Sequence, residues 1–239
     1  MAVFDSTHCL QEWQYERLRI PSMTMPGFPL NLRTLSLSFL AAGLVHGSAQ
    51  AGDVYVTGAV GFNSPTTRTN SGDIGSFTER SLPGASTELG LGFDFGALRV
   101  EATYTLDASR LNNYTSVNDQ TFDYVSGGDV RKQSAFLSGY WDVLLNESWT
   151  PYLGVGMGYT NLDVRSFSDP GLSYAGFNRS LFGYQFKAGI SIEVNPATNL
   201  FVEGVYRGTS EFKTNDGFNE WDNASYASWG SQLGVRIDL

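Results

Sequence analysis

The sequence predicts an all-β fold: a transmembrane, antiparallel, up-and-down β-barrel of about eight strands, with four long outer loops and three short turns. Three observations predict it. From Gly52 onward, stretches of about ten residues alternate apolar with small or polar side chains, the period of a strand with two unlike faces. Short and long connections alternate between those stretches. No run of 18 or more apolar residues is available for a spanning helix.

Eight strands are predicted in order. In strand one, about 53–62, Val54, Val56, Val60 and Phe62 share a face opposite Tyr55, Thr57 and Ala59. Strand two, about 86–95, sets Leu89, Leu91, Phe93 and Phe95 against Glu88, Gly90, Gly92 and Asp94. Strand three, about 98–106, sets Leu98, Val100, Ala102, Tyr104 and Leu106 against Arg99, Glu101, Thr103 and Thr105. Strand four, about 133–144, sets Ala135, Leu137, Trp141 and Val143 against Ser134, Phe136, Ser138, Tyr140 and Asp142.

Strand five, about 150–160, opposes Leu153, Val155, Met157 and Tyr159 to Tyr152, Gly154, Gly156 and Gly158. Strand six, about 181–194, opposes Phe182, Tyr184, Phe186, Ala188, Ile190 and Ile192 to Gln185, Lys187, Ser191 and Glu193. Strand seven, about 200–207, has Leu200, Val202 and Tyr206 against Glu203 and Arg207. Strand eight, about 227–239, has Trp229, Leu233, Val235, Ile237 and Leu239 against Gln232, Arg236 and Asp238.

The short connections are Gly96-Ala97, Asn146-Glu147-Ser148 and Asn195-Pro196-Ala197-Thr198. The long polar ones fall near 63–85, 107–131, 161–179 and 208–225. Three short turns and four long loops put every long loop at one end, the asymmetry of a transmembrane barrel. Aromatic placement argues for lipid, and not a second sheet, on the apolar face. Phe62, Tyr104, Tyr159, Tyr184, Tyr206 and Trp229 fall near the loop ends of their strands, and Trp141 and Trp149 near the turn ends. Two interfacial girdles require that sorting, and a sandwich core does not.

The opposite face is expected to line the lumen with a charge network of Glu88, Asp94, Arg99, Glu101, Lys187, Glu193, Glu203, Arg207 and Arg236. A two-residue Gly96-Ala97 turn would set Asp94 opposite Arg99 as an inward ion pair. Phe136 and Tyr140 are expected against the Gly154, Gly156 and Gly158 row, large against small, to fill a narrow interior.

The N-terminus reads as an address. Arg33, the apolar run 34–45 and Ala49-Gln50-Ala51 stand in the order of a secretory signal peptide, cleaved after Ala51. The predicted organisation is an atypical extension over 1–22, a signal peptide over 23–51 and a barrel over 52–239. Asp5, Glu12 and Glu16 do not suit a signal peptide, so Met23 or Met25 competes with Met1 as the true start.

Composition narrows the chemistry. Charged residues make up 16% of the 239 residues, against about 25% in a soluble domain. Net charge is −9, and three acidic and three basic residues precede residue 52, so the remainder is also −9. A nucleic-acid partner, which wants a basic face, is not expected. Cys9, His8 and His46 are the only cysteine and histidines, all in the segment expected to be removed. The mature chain therefore lacks a Ser-His-Asp triad, a Cys-His pair, a disulfide and a Cys/His zinc site. Neither catalysis nor a cofactor is expected. The inward carboxylates Glu88, Glu101, Glu193 and Glu203 read as paired filling. Gly154-x-Gly156-x-Gly158 has strand spacing and is not a phosphate loop. The acidic loop residues Asp119, Asp123, Asp129, Asp216, Glu220 and Asp222 lack EF-hand spacing and read as solvated.

Pro151-Tyr152-Leu153-Gly154-Val155-Gly156-Met157-Gly158-Tyr159 resembles the fifth-strand motif of small outer-membrane barrels of the opacity and OmpA types. Gln185-Phe186-Lys187-Ala188-Gly189-Ile190-Ser191, the Asn-Pro turn and Val202-Glu203-Gly204-Val205-Tyr206-Arg207 resemble that family's next hairpin. The resemblance covers about 52–239 and departs at the C-terminus, which is Leu239 where many members end in Phe or Trp. It also stops at strand eight, without the peptidoglycan-binding domain of OmpA-type proteins. It implies residence in a Gram-negative outer membrane, with lipid and lipopolysaccharide around the barrel, insertion by the barrel-assembly machinery, and a monomer whose loops are free for an extracellular partner. The functions it leaves open are a structural or surface-interaction barrel and a narrow porin-like channel. A secreted soluble barrel carrying lipid inside is the third alternative. N-terminal sequencing of envelope-extracted protein is expected to begin at Gly52; a start at Met1 would remove the case for export.

Overall fold

The computed structural model describes residues 53–239 except 73–74, 117, 144–148, 169–172, 216–219 and 224. The predicted signal peptide, Cys9, both histidines, the Asn146-Glu147-Ser148 turn and Asp216 lie outside the described residues.

The described residues are all-β, and eight of their strands close a ring: β1 (Asp53–Pro65), β2 (Gly84–Asp94), β3 (Leu98–Thr115), β4 (Asp129–Asp142), β5 (Trp149–Val164), β6 (Phe177–Asn195), β7 (Thr198–Thr209) and β8 (Ser228–Asp238). Each pairs antiparallel with its sequence neighbours, and β1 pairs with β8 over Tyr55 to Pro65. Following the pairing once round from Tyr55 passes Gly92, Glu101, Ser138, Gly156, Gln185, Arg207 and Ser228. It returns to β1 at Pro65, ten residues further along. That stagger tilts the strands by about 35–45° and leaves an interior only wide enough for side chains.

Burial is inverted relative to a water-soluble barrel. Leu89, Leu91, Leu137, Val155, Met157 and Leu233 are all exposed on the outer wall. Glu88, Arg99, Glu101, Lys187, Glu203 and Arg207 are buried inside it. A soluble lipid carrier would show the opposite arrangement, so that alternative is overturned.

The strands run past the predicted loop boundaries. β3 continues to Thr115, β4 begins at Asp129 and β5 extends to Val164. Two hairpins stand on this extension where polar loops are predicted. Arg68–Gly72 pairs with Gly75–Leu82, and Phe212–Asn215 with Glu220–Asn223. The first hairpin joins β3 through Gly75–Leu82 and meets the second through Arg68–Gly72. The alternation is preserved there but its phase reverses. Leu111, Val130, Leu162, Val164 and Leu181 point inward and pack with Tyr226, while Arg110, Arg131 and Asp163 take outward positions. A wall with water outside must bury its apolar residues inside, so the reversal marks where the barrel leaves lipid.

Val155→Arg puts a charge on the lipid face and should cost about 2–4 kcal/mol near mid-bilayer. Folding into vesicles is expected to fail for it and to proceed normally for Val125→Arg, in a water-exposed loop. Equal folding of both would overturn the assignment of faces.

Candidate functional site

The site is the lumen, built wherever an inward strand position carries a charge or a ring. Near the turn end, Asp94 and Arg99 are cross-strand partners as expected. They do not form the expected ion pair. Arg99 crosses to β4 and binds both oxygens of Asp142, at 2.7 and 2.8 Å. The Asp94 carboxylate instead accepts the Gly96 backbone N–H at 2.7 Å and lies 3.9 Å from Arg236. Gly96 holds a positive φ of 91°, the backbone a two-residue hairpin turn needs at its first central position. The turn therefore captures the Asp94 carboxylate. Arg99 gains a bidentate, fully buried partner instead, the stronger geometry for a guanidinium. The Arg99 guanidinium also lies over the Tyr140 and Tyr152 rings, at 4.7 and 5.0 Å.

One level further out, Lys187 is bonded to Glu88 and lies 3.0 Å from Glu203. Glu88 also binds Arg207 at 2.7 Å and accepts from Thr105 at 3.1 Å. Tyr140 donates to Glu101 at 3.0 Å and Tyr152 to Glu203 at 2.9 Å. Arg207 continues outward to Asp107 at 3.5 Å, and Asp107 lies 3.5 Å from Lys132, which donates to Ser228 at 2.9 Å. The result is one connected lattice of buried opposite charges. Every charged group in it finds an opposite charge or a donor, as desolvation requires.

Of the predicted network, Glu88, Arg99, Glu101, Lys187, Glu203 and Arg207 are brought together in this lattice, with Asp94 and Arg236 at its turn-end mouth. Glu193 is a correction: it is exposed beside the Asn195-Pro196 turn, where β6 has run past its last pair with β5, Ile192 with Trp149. Asp107, Lys132 and Asp142 join the lattice without having been predicted. Asp107 and Lys132 keep the inward parity of Thr105 and Ser134 just past the predicted strand ends, and Asp142 was predicted to face inward but was given no partner.

Rings and glycines fill the remaining space. Tyr140 faces Gly154 and Phe136 faces Gly158 across β4 and β5. A Cβ added at Gly154 would stand 2.6 Å from the Tyr140 ring. Among the lattice residues remains a cavity of about 10 Å³, lined by Glu88, Arg99, Glu101, Tyr140, Lys187 and Glu203 among others. That is room for one water at most.

Above the lattice the apolar cluster closes the loop end, and an ionic latch sits over it. Arg68 is bonded to Glu79, which accepts from Tyr124 at 3.0 Å, and the Arg68 guanidinium lies 4.0 Å from the centre of the Tyr226 ring. Burial, reinforced by the Glu79 carboxylate, raises the Tyr124 phenol above its ordinary value, so it remains a donor at physiological pH.

On the outer wall, Phe62, Tyr104, Tyr159 and Trp229 are exposed near the loop end, with Tyr184 and Tyr206 half-exposed between them. Tyr206 packs against Trp229 with ring centres 4.6 Å apart. Trp141 and Trp149 are exposed near the turn end. Of the acidic loop residues, Asp222 pairs with Lys213 at 3.3 Å and Asp129 with Arg110 at 3.2 Å.

The model of the outer membrane protein beta-barrel domain family matches residues 35–236. No curated protein sequence matches the chain. Among solved structures, neisserial surface protein A superposes with a TM-score of 0.50 at 18% identity, over 78% of this chain and 97% of its own. AlkL in lipid bilayers gives 0.48 at 12% identity, over 84% and 97%. The outer membrane protease OmpT from Escherichia coli gives 0.46 at 7% identity, over 81% and 99%. Likeness at these identities is likeness of fold.

Breaking a buried ion pair strands a charge, at about 3–5 kcal/mol. Arg99→Ala and Asp142→Ala should each lower unfolding stability by about that much, and the double variant by clearly less than their sum. Simple additivity in urea titrations of vesicle-folded protein would show that the pair carries no coupling.

Proposed function

The chain belongs to the outer membrane protein β-barrel domain family, and from that premise we propose that it is a closed, non-conducting outer-membrane anchor that displays its loops to the outside. One observation carries this reading: the lumen is filled across its width by paired, buried charges and rings around a cavity of about 10 Å³. Moving a hydrated ion through it would require dismantling several buried ion pairs at once, each costing several kcal/mol to break from one side. The barrel work is anchoring, and the loop-end extension is the part that meets other molecules.

The same reading includes export by a signal peptide over 23–51 with cleavage after Ala51, translation from Met23 or Met25, insertion by the barrel-assembly machinery, and a monomer. It includes no catalysis. The chain after residue 51 contains no histidine or cysteine, and the lumen carboxylates are engaged in salt bridges or tyrosine hydrogen bonds. An extracellular partner would bind through the hairpins and the apolar-cored rim that supports them.

Planar-bilayer recording separates this anchor from a narrow channel. The parent protein is expected to give no steps above baseline. Lys187→Ala combined with Arg207→Ala should open a measurable conductance while leaving the loops intact. Steady single-channel steps from the parent would establish the channel and end the anchor reading.

A further inference from the structure

Above the aromatic girdle, strand pairing carries the wall almost all the way round. From β6 it runs through β5, β4 and β3 to Gly75–Leu82, then to Arg68–Gly72, Glu220–Asn223 and Phe212–Asn215. Among the described residues, Phe212–Asn215 and β6 do not pair with each other. The last bond between β6 and the chain leaving β7 runs from the Ser210 N–H to the Phe182 carbonyl, at 2.8 Å. One seam is left, along β6 from Phe177 to Leu181. It begins just above Phe182, which stands in the girdle row beside Tyr159.

The seam has a cause. Continued in the register of β6 and β7, Phe212 would lie opposite Ser180 and face outward into water. It turns inward instead, packs against the buried cluster that contains Leu162 and Leu181, and sets its ring centre 6.1 Å from that of Phe177. Burying the ring outweighs the backbone bonds given up, because an edge in water can be solvated. The opposite flank of the extension, along β3, has no such edge, since Gly75–Leu82 covers it.

The pairing fixes which groups this edge offers. The Phe182 carbonyl faces the β7 side, and β6 keeps one unbroken register with β5 from Phe177 to Ile192. Every second residue of an antiparallel strand turns its N–H and C=O to the same side. Asn178 and Ser180 therefore present both backbone groups to the seam, whereas Phe177, Arg179 and Leu181 direct theirs to β5. Asn178, Arg179 and Ser180 are all exposed. The Asn178 side chain is bonded to Asn161 of β5, at 2.8 and 3.0 Å. Arg179 donates to the Asn178 carbonyl at 3.4 Å and makes no ion pair among the described residues. Phe177 and Leu181 belong to the apolar packing beneath. Of the devices that keep strand edges from pairing, this edge has only a charge, Arg179.

We propose that the free edge of β6 is a β-strand addition site for an extended segment of an extracellular protein, which joins antiparallel along Asn178–Ser180. Backbone groups of the segment bond those of Asn178 and Ser180, the source of affinity in strand addition. Its residues opposite Asn178 and Ser180 point outward and are polar. Those opposite Phe177 and Leu181 point inward and are apolar. The residue opposite Arg179 is acidic and supplies the ion pair this guanidinium lacks. The site rests on the anchor reading and deepens it by giving the chemistry of the partner.

The test uses the full mature chain folded in detergent, with folding verified first by the heat-dependent shift in gel mobility. The probe is the peptide Thr-Val-Thr-Glu-Thr-Val-Thr, and the readout is amide exchange of Asn178 and Ser180 by NMR during titration. The peptide should slow exchange at both amides. Methylating its Thr nitrogens removes the donors that face the edge and should weaken binding at least about tenfold; methylating the Val and Glu nitrogens, which face away, should change it less than about twofold. Ser180→Pro deletes an edge N–H that β5 does not use and should also weaken binding about tenfold. Should that variant misfold, Arg179→Glu carries the test: it should reject the Glu peptide and accept the same peptide with Lys in that place. Absence of protection in the parent, equal binding of the two methylated peptides, or indifference to the exchanged charge would each overturn the proposal. A failed mobility shift counts against the barrel and steady conductance against the anchor, whereas these outcomes count against the edge alone.

Discussion

A strand edge in hydrocarbon exposes a row of N–H and C=O groups with nothing to bond, at several kcal/mol each. The pairing of β1 with β8 removes that edge, and the rest of the molecule follows from the way it does so. Closure after eight strands with a ten-residue stagger fixes the strand tilt and the lumen width. A lumen that narrow has no solvent to hydrate inward charges, so they must satisfy one another. The period of two then divides each strand between two environments, lipid outside and an ionic solid inside.

The lattice reflects both its cost and its specificity. Buried pairs contribute little net stability over apolar packing, yet removing one partner is expensive. Glu88 illustrates the coupling, because it holds Lys187 from β6 and Arg207 from β7 from its own place on β2. No two adjacent strands could make those contacts. They exist only when the ring is closed in one register, and a one-residue slip would turn each charge into lipid. The lattice therefore selects the register as well as filling the lumen.

At the loop end the same wall obeys the opposite rule. Leu111 and Val130 face inward where Glu101 and Ser138 do so lower on the same strands. The switch happens within a few residues on β3, β4 and β5, and the aromatic girdle lies just below it. Arg131 and Arg110 take outward positions two and three rows above the girdle, beside Asp163 and Asp129. Lipid thickness is thus recorded in the sequence twice, as rings at the boundary and as a change in the phase of the alternation beyond it.

The strands, their faces and the asymmetry of their connections were legible in the sequence, because each depends on local spacing and side-chain type. Leu153, Val155, Met157 and Tyr159 alternating with glycines admit one reading of which side meets lipid. The boundaries of the loop-end extension were legible in principle, since Leu162-Asp163-Val164-Arg165 still alternates. Its reversed phase, set among polar residues, reads as loop when only the lipid-facing pattern is sought. The partner of each lumen charge was not legible. The sequence places Asp94 opposite Arg99, but a turn N–H captures Asp94, and Asp142 reaches Arg99 from the neighbouring strand. Facing residues follow from register between two strands. Which charge meets which depends on tilt, side-chain length and competition across the lumen, and these exist only once the sheet has closed.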